Sequence, residues 1–251
     1  MEELHTLGQL RELCTDPLIL WAAQGMGRDV HVWTHGSAVV AAVSGLARRD
    51  RAAVTGAVAD IATVMRSLLA GPGPRYRPFG DDDTIARLCD AVPGLTPRPP
   101  FGWMTTSRPP GSCPGRARLA GDDEQQAIAR VLDEALPHSL ARPGLPGVNR
   151  WWIETDDTGV AACAADAWSA PGVGLLAGVA TAVQARGRGL GRNVCAAALT
   201  ALVRDHGSAA LMVEVDNVAA RSLYGSLGMT YRPVRAAVPA SPPSSGPDGA
   251  P

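Results

Sequence analysis

The 251-residue chain contains no lysine, so all of its basic charge is arginine. That absence excludes the GxxxxGK[ST] loop of the P-loop NTPases, whose lysine reaches the nucleotide phosphates. Together with the abundance of alanine, glycine and proline it reads as a composition bias, ahead of the alternative that arginine was chosen for anion binding. Net charge is nearly absent too, at −1 with a pI of ≈ 6.5. A nucleic-acid partner is not expected, because such proteins carry a basic excess or a basic face. No run approaches the roughly 18 apolar residues of a membrane span, and the opening MEELHTLGQL has no charged leader followed by an apolar run. No membrane association and a cytoplasmic location are therefore expected. The cysteines Cys14, Cys89, Cys113, Cys163 and Cys195 are odd in number and include no CxxC pair. They indicate neither a zinc site nor a disulfide framework, so no metal is expected, and free thiols suit a reducing cytosol.

The chain is 46% hydrophobic, enough for one large core or two small ones. Its first half reads as a small α/β unit. Strands are expected at Val30–Trp33, Ala38–Val43 and Ala52–Thr55, with a turn at His35-Gly36-Ser37. A helix follows over Ala57–Leu69, where apolar residues recur at helical spacing up to Gly71-Pro72-Gly73-Pro74. A strand at Arg75–Phe79 and a helix over Asp82–Val92 complete the half. The stretch from Pro97 to Gly115, rich in Pro, Gly and Ser, is taken as a boundary, because such composition does not continue a helix or a central strand. This predicts an N-terminal α/β lobe over 1–112, a second domain over 116–238 and a disordered tail over 239–251.

The second half alternates strands and helices. Arg116–Ala120 is expected as a strand and Asp123–Ala135 as a helix. Strands at Trp151–Glu154, Val160–Trp168 and Val173–Thr181 are expected to form an antiparallel meander. A helix over Leu190–His206, a strand at Ala209–Val215, a short helix over Ala219–Leu227 and a last strand at Thr230–Val238 follow.

Between an apolar strand and an apolar helix stands Arg186-Gly187-Arg188-Gly189-Leu190-Gly191. Glycines let the backbone turn with its N–H groups facing one point. The helix start adds unsatisfied N–H groups and a partial positive charge, which together suit a pyrophosphate. The alternative is a plain strand-to-helix turn. A dinucleotide-binding GxGxxG fails, because its third glycine would fall on Arg192 or Val194. The meander before the turn also does not open a βαβ unit, although Asp216 could stand for the ribose-binding acid.

These residues resemble the GNAT acetyltransferases, whose signature Q/R-x-x-G-x-G/A is met by Arg186, Gly189 and Gly191. The family's later N-x-x-A-x-x-L-Y-x-x-x-G-F/M pattern is met from Asn217 through Ala220, Leu223, Tyr224 and Gly228 to Met229. The order of meander, turn, helix, strand, helix and strand is similar to the family's over residues 116 to 236. One departure is Val183, where the family often has proline. The resemblance implies an α+β fold with a mixed, mainly antiparallel sheet flanked by helices, and the first half is similar to a degenerate GNAT-like lobe.

The resemblance also implies an N-acetyltransferase that uses acetyl-CoA as cosubstrate and passes the acetyl group directly to a primary amine of a small molecule or peptide. By it, Val179, Ala180 and Thr181 offer backbone hydrogen bonds to the pantetheine arm. The turn from Arg186 through Gly187, Arg188, Gly189, Leu190 and Gly191 to Arg192 holds the pyrophosphate, its N–H groups from Arg188 onward making the contacts. Asn217 faces the cofactor arm or caps its helix. Tyr224 matches the position that protonates the leaving thiolate, against the alternative of a packing aromatic. Three carboxylates compete for the base: Glu214, Asp166 and Glu154, each also readable as a solvated or paired acid. Trp151, Trp152 and Trp168 read as core before substrate pocket. His138, Ser139 and Arg142 lie in the loop that borders the acceptor in the family, and His206 reads as a helix C-terminal residue favoured by the dipole. The first half has three roles open to it: closing over the acceptor, forming a homodimer surface, or extending the core. A protein that binds acetyl-CoA without catalysis, as a sensor, is the competing class.

Overall fold

The computed structural model describes residues 1–71, 76–111 and 115–240. Pro72 to Pro74 of the expected turn, Arg75, Cys113 and the tail from 241 onward lie outside the described residues. The four described cysteines are free thiols.

The first half contains β1 (Glu2–Leu4), α1 (Leu7–Leu13), α2 (Pro17–Ala22), β2 (Val30–His35), β3 (Ala38–Leu46), β4 (Arg49–Thr55), α3 (Val58–Ala70), β5 (Arg77–Asp81), α4 (Asp82–Ala91), β6 (Leu95–Pro97) and β7 (Phe101–Thr106). The second contains β8 (Arg118–Leu119), α5 (Gln125–Ala135), β9 (Val148–Asp156), β10 (Gly159–Ala167), β11 (Gly174–Thr181), α6 (Leu190–His206), β12 (Ala209–Glu214), α7 (Val218–Ser226) and β13 (Thr230–Pro239).

Two of these helices announce themselves by their caps. Thr6 and Gln9 form a reciprocal capping box at α1, and Asp16 caps α2 ahead of Pro17 in its first turn. Helix α6 starts after Gly189 and stops at Gly207, whose φ of 86° is left-handed and whose N–H donates to the Val203 carbonyl.

The strands form one sheet in the order β1-β2-β3-β4-β5-β13-β7-β12-β11-β10-β9-β8, with β6 paired to β13 off this path. Among the described residues, only β4–β5 and β11–β12 run parallel. Each half follows the same plan: an antiparallel meander, a helix (α3 or α6), a parallel strand (β5 or β12), a helix (α4 or α7) and a last strand. The last strands are exchanged. β13 from the second half pairs with β5, and β7 from the first pairs with β12.

This corrects the reading of the Pro97–Gly115 stretch, since Phe101–Thr106 inside it is a central strand paired to both β12 and β13. The prolines sit outside those six residues, and the strand is buried on both faces by Trp103 and Met104. Pro239, assigned to the tail, ends β13 opposite Leu95.

Side chains alternate across a strand, so β13 shows which helices share a face. Tyr231 packs into the cluster beneath α6, and Ala237 belongs to the cluster with α3 and α4 residues. Val234 points the other way, into a core with Trp21, Phe79 and Trp103. Helices α3, α4, α6 and α7 therefore cover one face, and α1, α2 and α5 the other. Among the described residues, no helix is long and apolar enough to cross a membrane.

Candidate active site

The site begins where β11 and β12 part. Their parallel pairing is confined to Gly174–Ala209 and Leu175–Ala210. A bulge drives them apart: β11 pairs Ala177 with Ala165 and Ala180 with Cys163, so one extra residue stands on β11. Gly178 sits in this bulge at φ 58°, with the Trp151 ring where a Cβ would fall, 2.7 Å away. Any side chain there would collide with Trp151, so the bulge depends on glycine. The edge of β11 from Leu176 to Thr181 is left without a ladder partner on the β12 side. That edge includes Val179, Ala180 and Thr181, and Val179 lines the cavity that opens between the strands.

The turn from Arg186 to Arg192 caps the same end of β11. Gly187 and Gly189 have φ of 77° and 82°, and Gly189 is the N-cap of α6 with no side-chain cap. Among the described residues, the N–H groups of Gly187 through Arg192 find no hydrogen-bond partner. A Cβ at Gly189 would meet nothing within 4 Å, whereas one at Gly191 would lie 2.8 Å from Thr181 Oγ1. The first glycine is required by its φ and by what approaches it, the second by close packing of α6 on β11. The flanking arginines are tethered: Arg186 to the Thr181 carbonyl, Arg188 to Asp156 at 2.6 Å, Arg192 to Ser226. Unpartnered N–H groups at the start of a 17-residue helix, with its dipole behind them, have the electrostatic character of a pyrophosphate cradle.

The cavity between β11 and β12 has a volume of about 550 Å³ and passes through the sheet. Leu211, Val213 and Tyr224 reach it from the α6 side, and Phe79, Phe101 and Met212 from the other. Tyr224 is buried, its hydroxyl has no partner among the described residues, and burial raises its pKa well above the usual tyrosine range. Burial thus favours the protonated phenol, which stands beside the cavity unpaired among the described residues. Glu214 ends β12 and lines the cavity with its carboxylate unpaired among the described residues. Asn217 caps α7, accepting from the Ala220 N–H at 3.1 Å, and it also lines the cavity.

The other two carboxylates are elsewhere. Asp166 is only 3% exposed and does not line the cavity. Its directly opposed neighbour on β9 is Arg150, whose Nε donates to it at 3.1 Å, and Ser169 and Asn149 donate as well. A carboxylate with its lone pairs so occupied is a structural anchor, and the expectation of a base there is corrected. Glu154 is buried on β9 and accepts from Asn193 at 3.1 Å; it too is absent from the cavity wall. Trp151 and Trp152 are core residues, and Trp168 bonds through its backbone to Gly147 and Trp21. Of the loop residues expected to border the acceptor, Ser139 lines the cavity, His138 is exposed and Arg142 is paired with Asp133. His206 is the last residue of α6, its Nδ1 3.1 Å from the Ala170 carbonyl oxygen.

Sequence reasoning missed the far wall. Arg49, Arg51, Arg77 and Arg98, all from the first half, line the same cavity as Glu214 and Tyr224. A larger cavity of about 750 Å³, at the opposite ends of β7, β12 and β13, is lined by no acid, histidine, cysteine or tyrosine. Among the described residues no three His, Cys, Asp or Glu side chains converge as metal ligands.

A splayed parallel strand pair with a glycine cradle at the following helix defines the GNAT acetyltransferase fold class, and comparison bears this out. Residues 156–237 match the family described as FR47-like protein. The whole chain is similar in fold to a GCN5-related N-acetyltransferase from Kribbella flavida, with a TM-score of 0.60 and 18% identity over 91% of this chain and 98% of that one. A protein described as a GNAT-family acetyltransferase from Novosphingobium aromaticivorans gives 0.58 and 19% over 90% and 97%. A GCN5-related N-acetyltransferase from Sphaerobacter thermophilus gives 0.53 and 16% over 90% and 86%. A search of curated proteins finds no match. The chain thus has the GNAT fold, and its match to the FR47-like model spans residues 156–237.

Proposed function

We propose that the protein is an N-acetyltransferase that moves the acetyl group of acetyl-CoA to a primary amine by direct attack. The observation that carries this reading is the alignment of three features along one path: the open N–H cradle at Gly187–Arg192, the free edge of β11, and a protonated Tyr224 on the cavity between the strands. The cosubstrate, when bound, supplies an acyl thioester. The cradle N–H groups would hold its pyrophosphate, and the edge of β11 at Val179, Ala180 and Thr181 would hold its amide-bearing arm as an added strand would be held. Tyr224 would give its proton to the departing sulfur. Glu214 would take the proton that the amine sheds, directly or through water.

The test is calorimetric titration with acetyl-CoA followed by release of free thiol across a broad amine library. Saturable binding with transfer to at least one amine is expected. No binding to a folded protein would overturn the reading, and tight binding without turnover for any amine would favour the non-catalytic sensor.

A further inference from the structure

The four arginines of the far wall are placed by the sheet. Arg49 and Arg51 alternate onto one face of β4, and Arg77 on β5 is the register partner of Arg51. Arg98 follows β6. Arg51 is only 9% exposed, although it carries a guanidinium. Its Nε donates to the Leu46 carbonyl at 3.0 Å, and its guanidinium carbon lies 5.8 and 5.6 Å from the Trp21 and Phe79 ring centroids. Its terminal nitrogens find no partner among the described residues, and the side chains of Arg49, Arg77 and Arg98 make neither a hydrogen bond nor an ion pair there. Other arginines of the chain, such as Arg118, Arg150, Arg188 and Arg232, each hold a carboxylate. Burial, and then the charges of Arg49 and Arg77, pull the Arg51 pKa down to about 10, so the cluster remains cationic at neutral pH.

Four cations on one cavity wall, faced by the single carboxylate of Glu214, repel each other, and a desolvated guanidinium is costly unless an anion meets it. Among the described residues no carboxylate pairs with any of the four. The pyrophosphate cradle does not need these arginines either, since none of residues 186–192 lines the cavity. Arg51, against the Trp21 and Phe79 rings, and its strand neighbours Arg49 and Arg77 lie on the α1–α2–α5 face, and the cradle lies at the start of α6 on the opposite face. The cavity joins the two faces through the gap between β11 and β12.

Resting on the acetyltransferase reading, we propose that the acceptor is a small amine carrying an anionic group, a carboxylate or a phosphate, and that Arg49, Arg51, Arg77 and Arg98 bind that group and aim the amine into the gap. Guanidinium forks match both anions in bidentate geometry. A neutral amine or a polyamine leaves the cluster uncompensated.

The experiment compares matched acceptors at saturating acetyl-CoA: β-alanine against β-alaninamide for the carboxylate arm, O-phosphoethanolamine against ethanolamine for the phosphate arm. At least a tenfold higher kcat/KM for the charged member is expected in one arm, and the arm that responds identifies the anion. In Arg77→Gln/Arg98→Gln, at exposed and half-buried positions that spare the core, the KM for the charged acceptor should rise tenfold or more while the acetyl-CoA dissociation constant stays within twofold. Preference for neutral members in both arms, or an equal loss of acetyl-CoA affinity in the double variant, overturns the proposal but leaves the acetyltransferase reading standing. A binding readout covers the case in which neither pair is turned over. With the cradle saturated by CoA, inorganic phosphate or succinate should raise the melting temperature of the wild type more than that of the double variant, and equal shifts would sink the proposal. Failure of the wild type to bind acetyl-CoA at all would instead remove the reading on which it rests.

Discussion

Replacing Tyr224 by phenylalanine separates the proposed chemistry from packing, because the ring packs in the core while the hydroxyl alone would carry the proton. The ring is buried in the cluster beneath α6, with Leu223, Leu227 and Met229 beside it in that cluster. The hydroxyl makes no hydrogen bond within the described chain, so its removal orphans no donor or acceptor. The stability change should stay under about 1 kcal/mol, which for a chain of this length moves the melting temperature by no more than about 4 °C. The chemical step should suffer far more. General acid assistance is worth roughly 10²–10⁴-fold, and a thiolate whose conjugate acid has a pKa of about 8.5 leaves tolerably without a proton. The expected loss is therefore near the lower end, roughly 10²-fold, or about 2.7 kcal/mol in the barrier. Single-turnover rates with a competent acceptor, set beside acetyl-CoA dissociation constants, give the two numbers needed. A large loss of rate with little change in affinity is the signature of a group that acts only in the transition state. Equal rates in wild type and Tyr224→Phe would strip the residue of its role and leave it a packing aromatic.

Gly189→Glu puts a side chain where φ is 82° and a negative charge into the cradle; left-handed strain of roughly 1–2 kcal/mol leaves the protein folded, and acetyl-CoA affinity by calorimetry should fall at least tenfold. Unchanged affinity in the folded variant would move the pyrophosphate elsewhere. Because burial raises the Tyr224 pKa above its ordinary value, the phenol stays protonated as pH rises, so turnover should climb as the acceptor amine loses its proton and show no falling limb below about pH 10. An alkaline limb between pH 8 and 9.5 that vanishes in Tyr224→Phe would contradict the assignment. Residues 116–240 expressed alone lose β7, the partner of both β12 and β13, and should aggregate through the bared strand edges; a monomer with a cooperative melt, seen by light scattering and calorimetry, would show that the exchanged strands are dispensable.

The sequence was most readable where punctuation is local. Helix α6 matches its expected bounds because a glycine stands at each end, and the Arg186–Arg192 turn is legible for the same reason. The meander β9-β10-β11 follows from turn residues at Asp156–Gly159 and Pro171–Gly172. Helices α1 and α2 were legible in principle, through Thr6-x-x-Gln9 and Asp16-Pro17, but were passed over. Strand β7 was not: a central strand buried on both faces shows no polar alternation, and proline-rich flanks disguise six good residues as linker. Asp166 misled because its partner is set by register. Arg150 is sixteen residues away in sequence and directly opposite in space, and only the pairing shows that the acid is already engaged. The arginine wall was hidden more deeply. Residues 49, 51, 77 and 98 meet 214 and 224 only because the last strands are exchanged between the halves, and nothing local encodes an exchange.

The two halves share a plan but differ at the position that matters for an anion. In the second half the turn between β11 and α6 leaves its N–H groups open. At the corresponding turn between β4 and α3, the Ala57 N–H donates to Ser37 Oγ at 2.9 Å, and Ser37 in turn donates from its backbone and hydroxyl to Asp60 in the first turn of α3. Those hydrogen bonds hold the Asp60 carboxyl below its usual range, so an anion of the protein's own occupies the end of that helix. Gly56 is pressed against Ser37, with a Cβ position 2.4 Å from its carbonyl oxygen, so the turn is closed by packing as well. The first half therefore cannot repeat the cradle. What it brings instead lies on the other face of the same two strands, where Arg51 on β4 and Arg77 on β5 turn toward the gap opened by β11 and β12. Because β13 separates β5 from β7 and β7 separates β13 from β12, the exchanged strands set the width of that cavity. On the acetyltransferase reading proposed above, one half would supply the donor's anchor and the other the wall that meets the acceptor.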